Sequence, residues 1–119
     1  EFKSFLAKSE FTPKEILEIL AKDEDSAVRA SVAQNPSIPR IILALLTKDK
    51  YSWVRESVAK NLNISKDILE VLAKDKVSWI RASVARNPNT PKETLEFLSK
   101  DKIFAICDIA KRNPNYQKL

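Results

Sequence analysis

The chain contains no glycine, no histidine and no methionine, and one cysteine among its 119 residues. Without glycine, phosphate-cradling Gly-rich loops are excluded, and any left-handed turn must fall to asparagine. Without histidine, the usual general base and the commonest nitrogen ligand of metals are missing. The lone Cys107 closes no internal disulfide and by itself holds no zinc or iron–sulfur centre. That usage fits a reducing, cytoplasmic setting. Because methionine is absent, Glu1 is not expected to be the natural start, and the chain reads as processed or cut from something longer. The longest apolar run, "IILALL" from Ile41 to Leu46, has six residues, against about 20 for a membrane-spanning helix. No signal peptide is visible, so neither a membrane partner nor a cofactor is expected.

What is present is 44% hydrophobic and 31% charged residues, the balance of a soluble, folded domain. The net charge of +5 is uneven. Residues 12–37 carry three basic and five acidic groups, net −2; residues 38–63 carry five and two, net +3. Residues 64–89 carry five and three, net +2, and residues 90–115 five and four, net +1. The basic part is the middle.

The dominant pattern is a repeat. "SAVRASVAQNPSIP", "SWVRESVAKNLNIS" and "SWIRASVARNPNTP" follow one another at 26-residue spacing, and four copies tile 12–37, 38–63, 64–89 and 90–115. Each copy has two apolar stripes. In the first, Ile16, Leu17 and Leu20 recur as Ile42, Leu43, Leu46 and as Ile68, Leu69, Leu72, a helical face. Thr12-Pro13-Lys14-Glu15 and Thr90-Pro91-Lys92-Glu93 read as capping boxes with proline at the first helical position. In the second stripe, Val28 and Val32 recur as Val54, Val58 and as Ile80, Val84. Ala33, Ala59 and Ala85 are small enough for neighbouring helices to approach closely. Asn35, Asn87 and Asn113 stand before prolines, which disfavour helix at the preceding residue. Each copy therefore reads as helix, turn, helix, turn, and the fold class as all-α: a solenoid whose units bury their apolar faces only by stacking.

The ends fit this scheme. Residues 1–11 align with the second half of a copy, with Phe2, Leu6 and Ala7 at the Val28, Val32 and Ala33 positions, and read as a half repeat of one helix. In the last copy Lys111 takes the small alanine position and Cys107 the arginine position, as suits a unit with a polar outer face. Residues 116–119 read as a tail. The whole is one helical-repeat domain.

"VRASVAQNPSIP", "VRESVAKNLNIS" and "IRASVARNPNTP", each followed by a Leu-x-x-Leu-Ala-x-Asp-like segment, resemble the leucine-rich repeat variant family. "LAKDEDSAVRASVA" is similar to a HEAT-type repeat. The resemblance covers nearly the whole chain. It implies a right-handed superhelix without sheet, built of alternating α- and 3₁₀-helices, and no settled activity. Leu62 and Ser65 depart from the two prolines of the pattern, and Cys107 from its arginine. The two apolar stripes taken alone favour two short α-helices per copy, because each spans more than one turn.

Several residues are functional candidates. Asp23, Asp49, Asp75 and Asp101 form one row and Lys3, Arg29, Arg55 and Arg81 another. Identical recurrence favours an inter-repeat ion-pair ladder, each basic group reaching the next copy's aspartate and the aspartates capping the second helices, over a charged binding strip. Trp53 and Trp79 share one position in adjacent copies, on the flank of the second helix, where Ala27 and Ala105 stand in the outer copies. They read as a contact platform on the inner surface or as packing between helices. Lys60, Arg86 and Arg112 follow that position by seven residues, and Lys50 and Lys76 precede the same helices. Together they suggest a groove shared by the tryptophans, Lys60 and Arg86. Cys107 reads as a small apolar filler rather than a reactive thiol. Asp67 and Glu70 offer no partner base and are not catalytic candidates. The expectation is a non-enzymatic scaffold that binds a protein partner. A nucleic-acid-binding solenoid using the basic and aromatic face is the alternative.

Overall fold

In the computed structural model, which describes residues 2–117, nine α-helices and one 3₁₀-helix account for the regular structure, and no strand occurs among the described residues. Four seven-residue helices start just after an extended residue: α2 (Lys14–Leu20), α4 (Arg40–Leu46), α6 (Lys66–Leu72) and α8 (Lys92–Leu98). Between and around them run α1 (Phe2–Lys8), α3 (Ser26–Ala33), α5 (Ser52–Lys60), α7 (Ser78–Arg86) and α9 (Phe104–Arg112). All nine are α, so the alternation with 3₁₀-helix implied by the family resemblance is not found. The single 3₁₀ turn, Pro114–Gln117, follows α9. It brings Tyr116 against the core, so residue 116 is packed rather than part of a tail. Glu1, Lys118 and Leu119 lie outside the described residues.

The first helices begin differently from the expected capping boxes. Pro13 and Pro91 are the N-cap residues themselves, with no side-chain cap. The Thr12 hydroxyl donates backwards to the Leu6 carbonyl (2.5 Å), and that of Thr90 to the Val84 carbonyl (2.6 Å). Threonine here ties the start of a first helix to the second helix before it. The equivalent Ile38 and Ile64 do the same by burial. Among the described residues none has positive φ. The first helices end in tight i+3 bonds, Asp49 N–H to the Leu46 carbonyl (3.1 Å) for one, which satisfy terminal carbonyls without a left-handed residue. This is how the chain does without glycine.

The second helices α3, α5, α7 and α9 lie one on another, with α1 packed on α3; each first helix packs on the second helices that flank it. Contact between successive first helices is much sparser. Val32, Ala33, Val54, Val58, Ala59, Ile80, Val84 and Ala85 are fully buried. The alanines keep these helices close, since interaxial distance follows side-chain size. Leu17, Leu43, Leu69 and Leu95 cover the core from the first-helix side and are equally buried. Ala7 of α1 is fully buried on the same layer, but Phe2 is 74% exposed. Every later second helix is packed by the first helix before it; among the described residues no such element covers α1, and the Val28-like position is open there.

Removal of residues 1–11 should uncover the α3 face that Ala7 covers. The melting temperature should fall by several degrees and aggregation on heating should rise, read by circular dichroism and light scattering. Unchanged melting would show that α1 does not cover the stack.

Candidate functional site

The turns between first and second helices form one row, stitched by the recurring arginines. Arg29 donates from Nε to Asp49 Oδ2 (2.7 Å), from Nη2 to Asp49 Oδ1 (3.2 Å) and from Nη1 to its own turn's Asp23 carbonyl (2.7 Å). Arg55 makes the same three bonds to Asp75 and the Asp49 carbonyl, and Arg81 to Asp101 and the Asp75 carbonyl. Each fork thus holds the next repeat's carboxylate and its own repeat's backbone. At the N-terminal end Lys3 reaches Asp23 (2.9 Å). At the other end the Cys107 thiol takes the backbone role alone, donating to the Asp101 carbonyl (2.8 Å). The arginine and aspartate side chains of the three inner pairs are 7–12% exposed.

The aspartates do not cap the second helices as expected. Each accepts from the N–H two residues on, Tyr51 for Asp49 (3.0 Å) and Val77 for Asp75 (2.9 Å), one residue before the helix begins. Among the second helices only α3 has a side-chain cap, in which the Asp25 carboxylate accepts from the Ala27 N–H. The environment shifts the ladder's titrations. Burial alone would raise the Asp49 carboxyl, but the Arg29 guanidinium and the Tyr51 N–H outweigh it and hold it below its ordinary value. Asp101 is lowered by Arg81, and Asp23 by the Asp25 N–H and then Lys3. Arg29 and Arg81 are raised by their carboxylates.

A second ladder runs along the far ends of the second helices. Asn61 Nδ2 donates to the Ala33 carbonyl (2.7 Å) and the Asn35 carbonyl (3.1 Å) of the preceding repeat. Asn35, Asn87 and Asn113 make the equivalent pair of bonds. Each Oδ1 accepts from the N–H two residues on, so these buried amides are satisfied from both ends. Read from sequence, the asparagines were only helix stops. Their recurrence at one position in four copies was the available signal of a structural role.

Trp53 and Trp79 are 49% and 54% exposed. Trp53 spans two second helices: its indole N–H donates to Ser26 Oγ of α3 (3.0 Å), and its ring stacks on Tyr51 at 4.6 Å between centroids. Arg29 and Lys50 approach the Tyr51 ring at 5.8 and 5.3 Å. Trp79 has Val77 where Trp53 has Tyr51, and so no equivalent stack. Lys60 and Arg86 line a cleft of about 150 Å³ with Leu62, Ser83, Asn87 and Pro88, and neither tryptophan is among the residues lining it. Seven residues along a helix is two turns, about 10 Å, which puts these cations at the asparagine end and the tryptophans at the turn end. Lys60 pairs with Glu56 (3.3 Å) and Arg112 with Asp108 (2.9 Å) on their own helices.

The turn row itself is what sequence reading under-weighted. Lys48 and Lys50 flank Asp49, Lys74 and Lys76 flank Asp75, and Lys100 and Lys102 flank Asp101. All six lysines are exposed, and no ion pair among the described residues involves them. The Lys-Asp-Lys triplets were the signal. No group of three His, Cys, Asp or Glu side chains that would hold a metal ion occurs among the described residues. No helix there is long and apolar enough to cross a membrane. No family model, curated protein or solved structure matches the chain.

The lowered carboxylates set a pH dependence. Asp23, Asp49 and Asp101 titrate below the ordinary value of 3.8 when folded, so on acidification the unfolded chain takes up protons first. Their stabilisation is complete above that value and is lost as pH falls below it, through the folded values. Urea midpoints should hold steady from neutrality to about pH 5 and drop below about pH 4. The Asp49→Asn variant should show a shallower drop. A midpoint that rises in acid, or an equal drop in the variant, would contradict the ladder's role.

Proposed function

We propose that the chain is a non-enzymatic binding scaffold that presents the turn end of its second-helix layer to a protein partner. In this reading the helices form a right-handed solenoid of four 26-residue repeats with an N-terminal half repeat, as the likeness to leucine-rich repeat variant and HEAT-type sequences suggests, and the lone cysteine accords with a cytoplasmic setting. The observation that carries it is the pair of half-exposed tryptophans, 49% and 54% accessible, at one position of adjacent repeats. Elsewhere that position holds Ala27 and Ala105. The repeat therefore packs without a large ring there, and binding hot spots are enriched in tryptophan. A nucleic-acid-binding solenoid is the second reading, supported by the unpaired lysines beside the same rings.

The W53A/W79A double variant tests this. Truncating a buried tryptophan costs about 3–5 kcal/mol; these half-exposed rings should cost clearly less, and the helical spectrum should persist. Affinity capture from the source lysate should retain a protein with the wild-type chain after nuclease treatment and lose it with the variant. Captured material that disappears with nuclease would favour the second reading, and unfolding of the variant would make the rings core.

A further inference from the structure

The Lys-Asp-Lys turns have an electrostatic consequence that composition hides. Asp49, Asp75 and Asp101 would ordinarily offset half of the lysine charge beside them. Instead, Arg29, Arg55 and Arg81 engage them in bidentate pairs on the inner side of the turns. Charge is balanced inside the ladder, and Lys48, Lys50, Lys74, Lys76, Lys100 and Lys102 stay exposed along the rim of turns with no ion pair among the described residues, Lys50 lying over the Tyr51 ring and Lys74 over that of Phe97. The same fork bonds hold the three turns side by side, so a Lys-Asp-Lys triplet recurs once per layer. The rim is bounded. The first turn carries Glu24 where the later ones carry Lys50, Lys76 and Lys102, and adds the exposed Asp25. The positive strip therefore starts at the second repeat. Trp53, Trp79 and the 81% exposed Phe104 follow Lys50, Lys76 and Lys102 in the chain within the first turn of their second helices.

We infer that this rim is the docking edge for an extended acidic segment of the partner protein, with a carboxylate at every third residue and apolar side chains between. The inference rests on the protein-binding reading above. Stacked helices advance by about 8–10 Å per layer, and three residues of extended chain, at roughly 3.3 Å each, reach the upper end of that range. One carboxylate per turn then meets one lysine pair, and the residues between lie over the indole faces. Two features favour carboxylates over a nucleic-acid backbone. No arginine is left on the rim to grip phosphate with a planar fork. Only one of the two tryptophans has an aromatic neighbour to build a stacking platform, and that neighbour, Tyr51, is already covered by Trp53.

The test is fluorescence anisotropy on the full chain at low salt with three labelled probes: a peptide with glutamate at every third position and leucine and serine between; a peptide of the same composition with its glutamates contiguous; and an oligothymidylate of equal charge. The spaced peptide should bind at least about fivefold tighter than the contiguous one, and weaken about tenfold or more in K50E/K76E/K102E. The milder Lys50→Gln/Lys76→Gln variant, should the reversal disturb folding, should lose part of that affinity with an unchanged melting curve. Equal affinity for both peptides overturns the register, and affinity untouched by the lysine variants overturns the edge. An oligothymidylate bound more tightly than either peptide overturns the acidic-segment assignment in favour of nucleic acid. If no peptide binds but nuclease-resistant capture persists, the edge fails and the scaffold reading stands; if capture is nuclease-sensitive, the scaffold reading itself fails.

Discussion

A guanidinium taken out of water must keep its carboxylate, and here the carboxylate belongs to the next repeat. Arg29, Arg55 and Arg81 satisfy their forks only when the following turn stands in one place. Removing one partner of such a part-buried pair leaves its charge uncompensated, at a cost below the roughly 3–5 kcal/mol of a fully buried one. Replacing both by apolar groups is often neutral, so the ladder's value lies in where it puts the repeats more than in net stability. The asparagine amides pin the opposite ends of the same helices to the repeat before. Valine and alanine between the two pins supply area without direction, since apolar packing tolerates sliding that directed hydrogen bonds do not. Two polar pins per interface, at opposite ends of a helix, fix both its translation and its rotation.

The surface follows from this framework. The ladder draws the aspartates inward, which turns a rim of mixed sequence charge into a rim of positive surface charge. At the asparagine end Lys60 and Arg112 are neutralised by carboxylates on their own helices. Arg86 at that end is exposed with no ion pair among the described residues, so the two ends differ in which carboxylates are engaged and in how many cations stay unpaired.

The helices were legible in the sequence because each apolar stripe recurs in three copies: Leu17, Leu43 and Leu69 face inward at one register position, and Leu95 joins them in the fourth. The Arg29–Asp49 spacing was legible for a related reason, since a basic residue missing from the last copy and an aspartate present in every copy point from each repeat to the next. Threonine was misread because a capping-box pattern describes a helix in isolation, whereas Thr12 and Thr90 answer a carbonyl of another helix. A shared helix face does not make residues neighbours when two turns separate them, which sets Trp53 apart from Lys60 along α5. The asparagine ladder was missed because its acceptors are backbone carbonyls, and any residue can supply those.

The most direct measurement is a double-mutant cycle on Arg55 and Asp75 by urea unfolding. If the ladder couples neighbouring repeats, Arg55→Ala and Asp75→Ala should each destabilise strongly. The double variant should be less destabilised than the two together, with an interaction energy of about 1–3 kcal/mol. Additive effects within about 0.5 kcal/mol would mean that the two side chains act independently and that packing alone sets the stack.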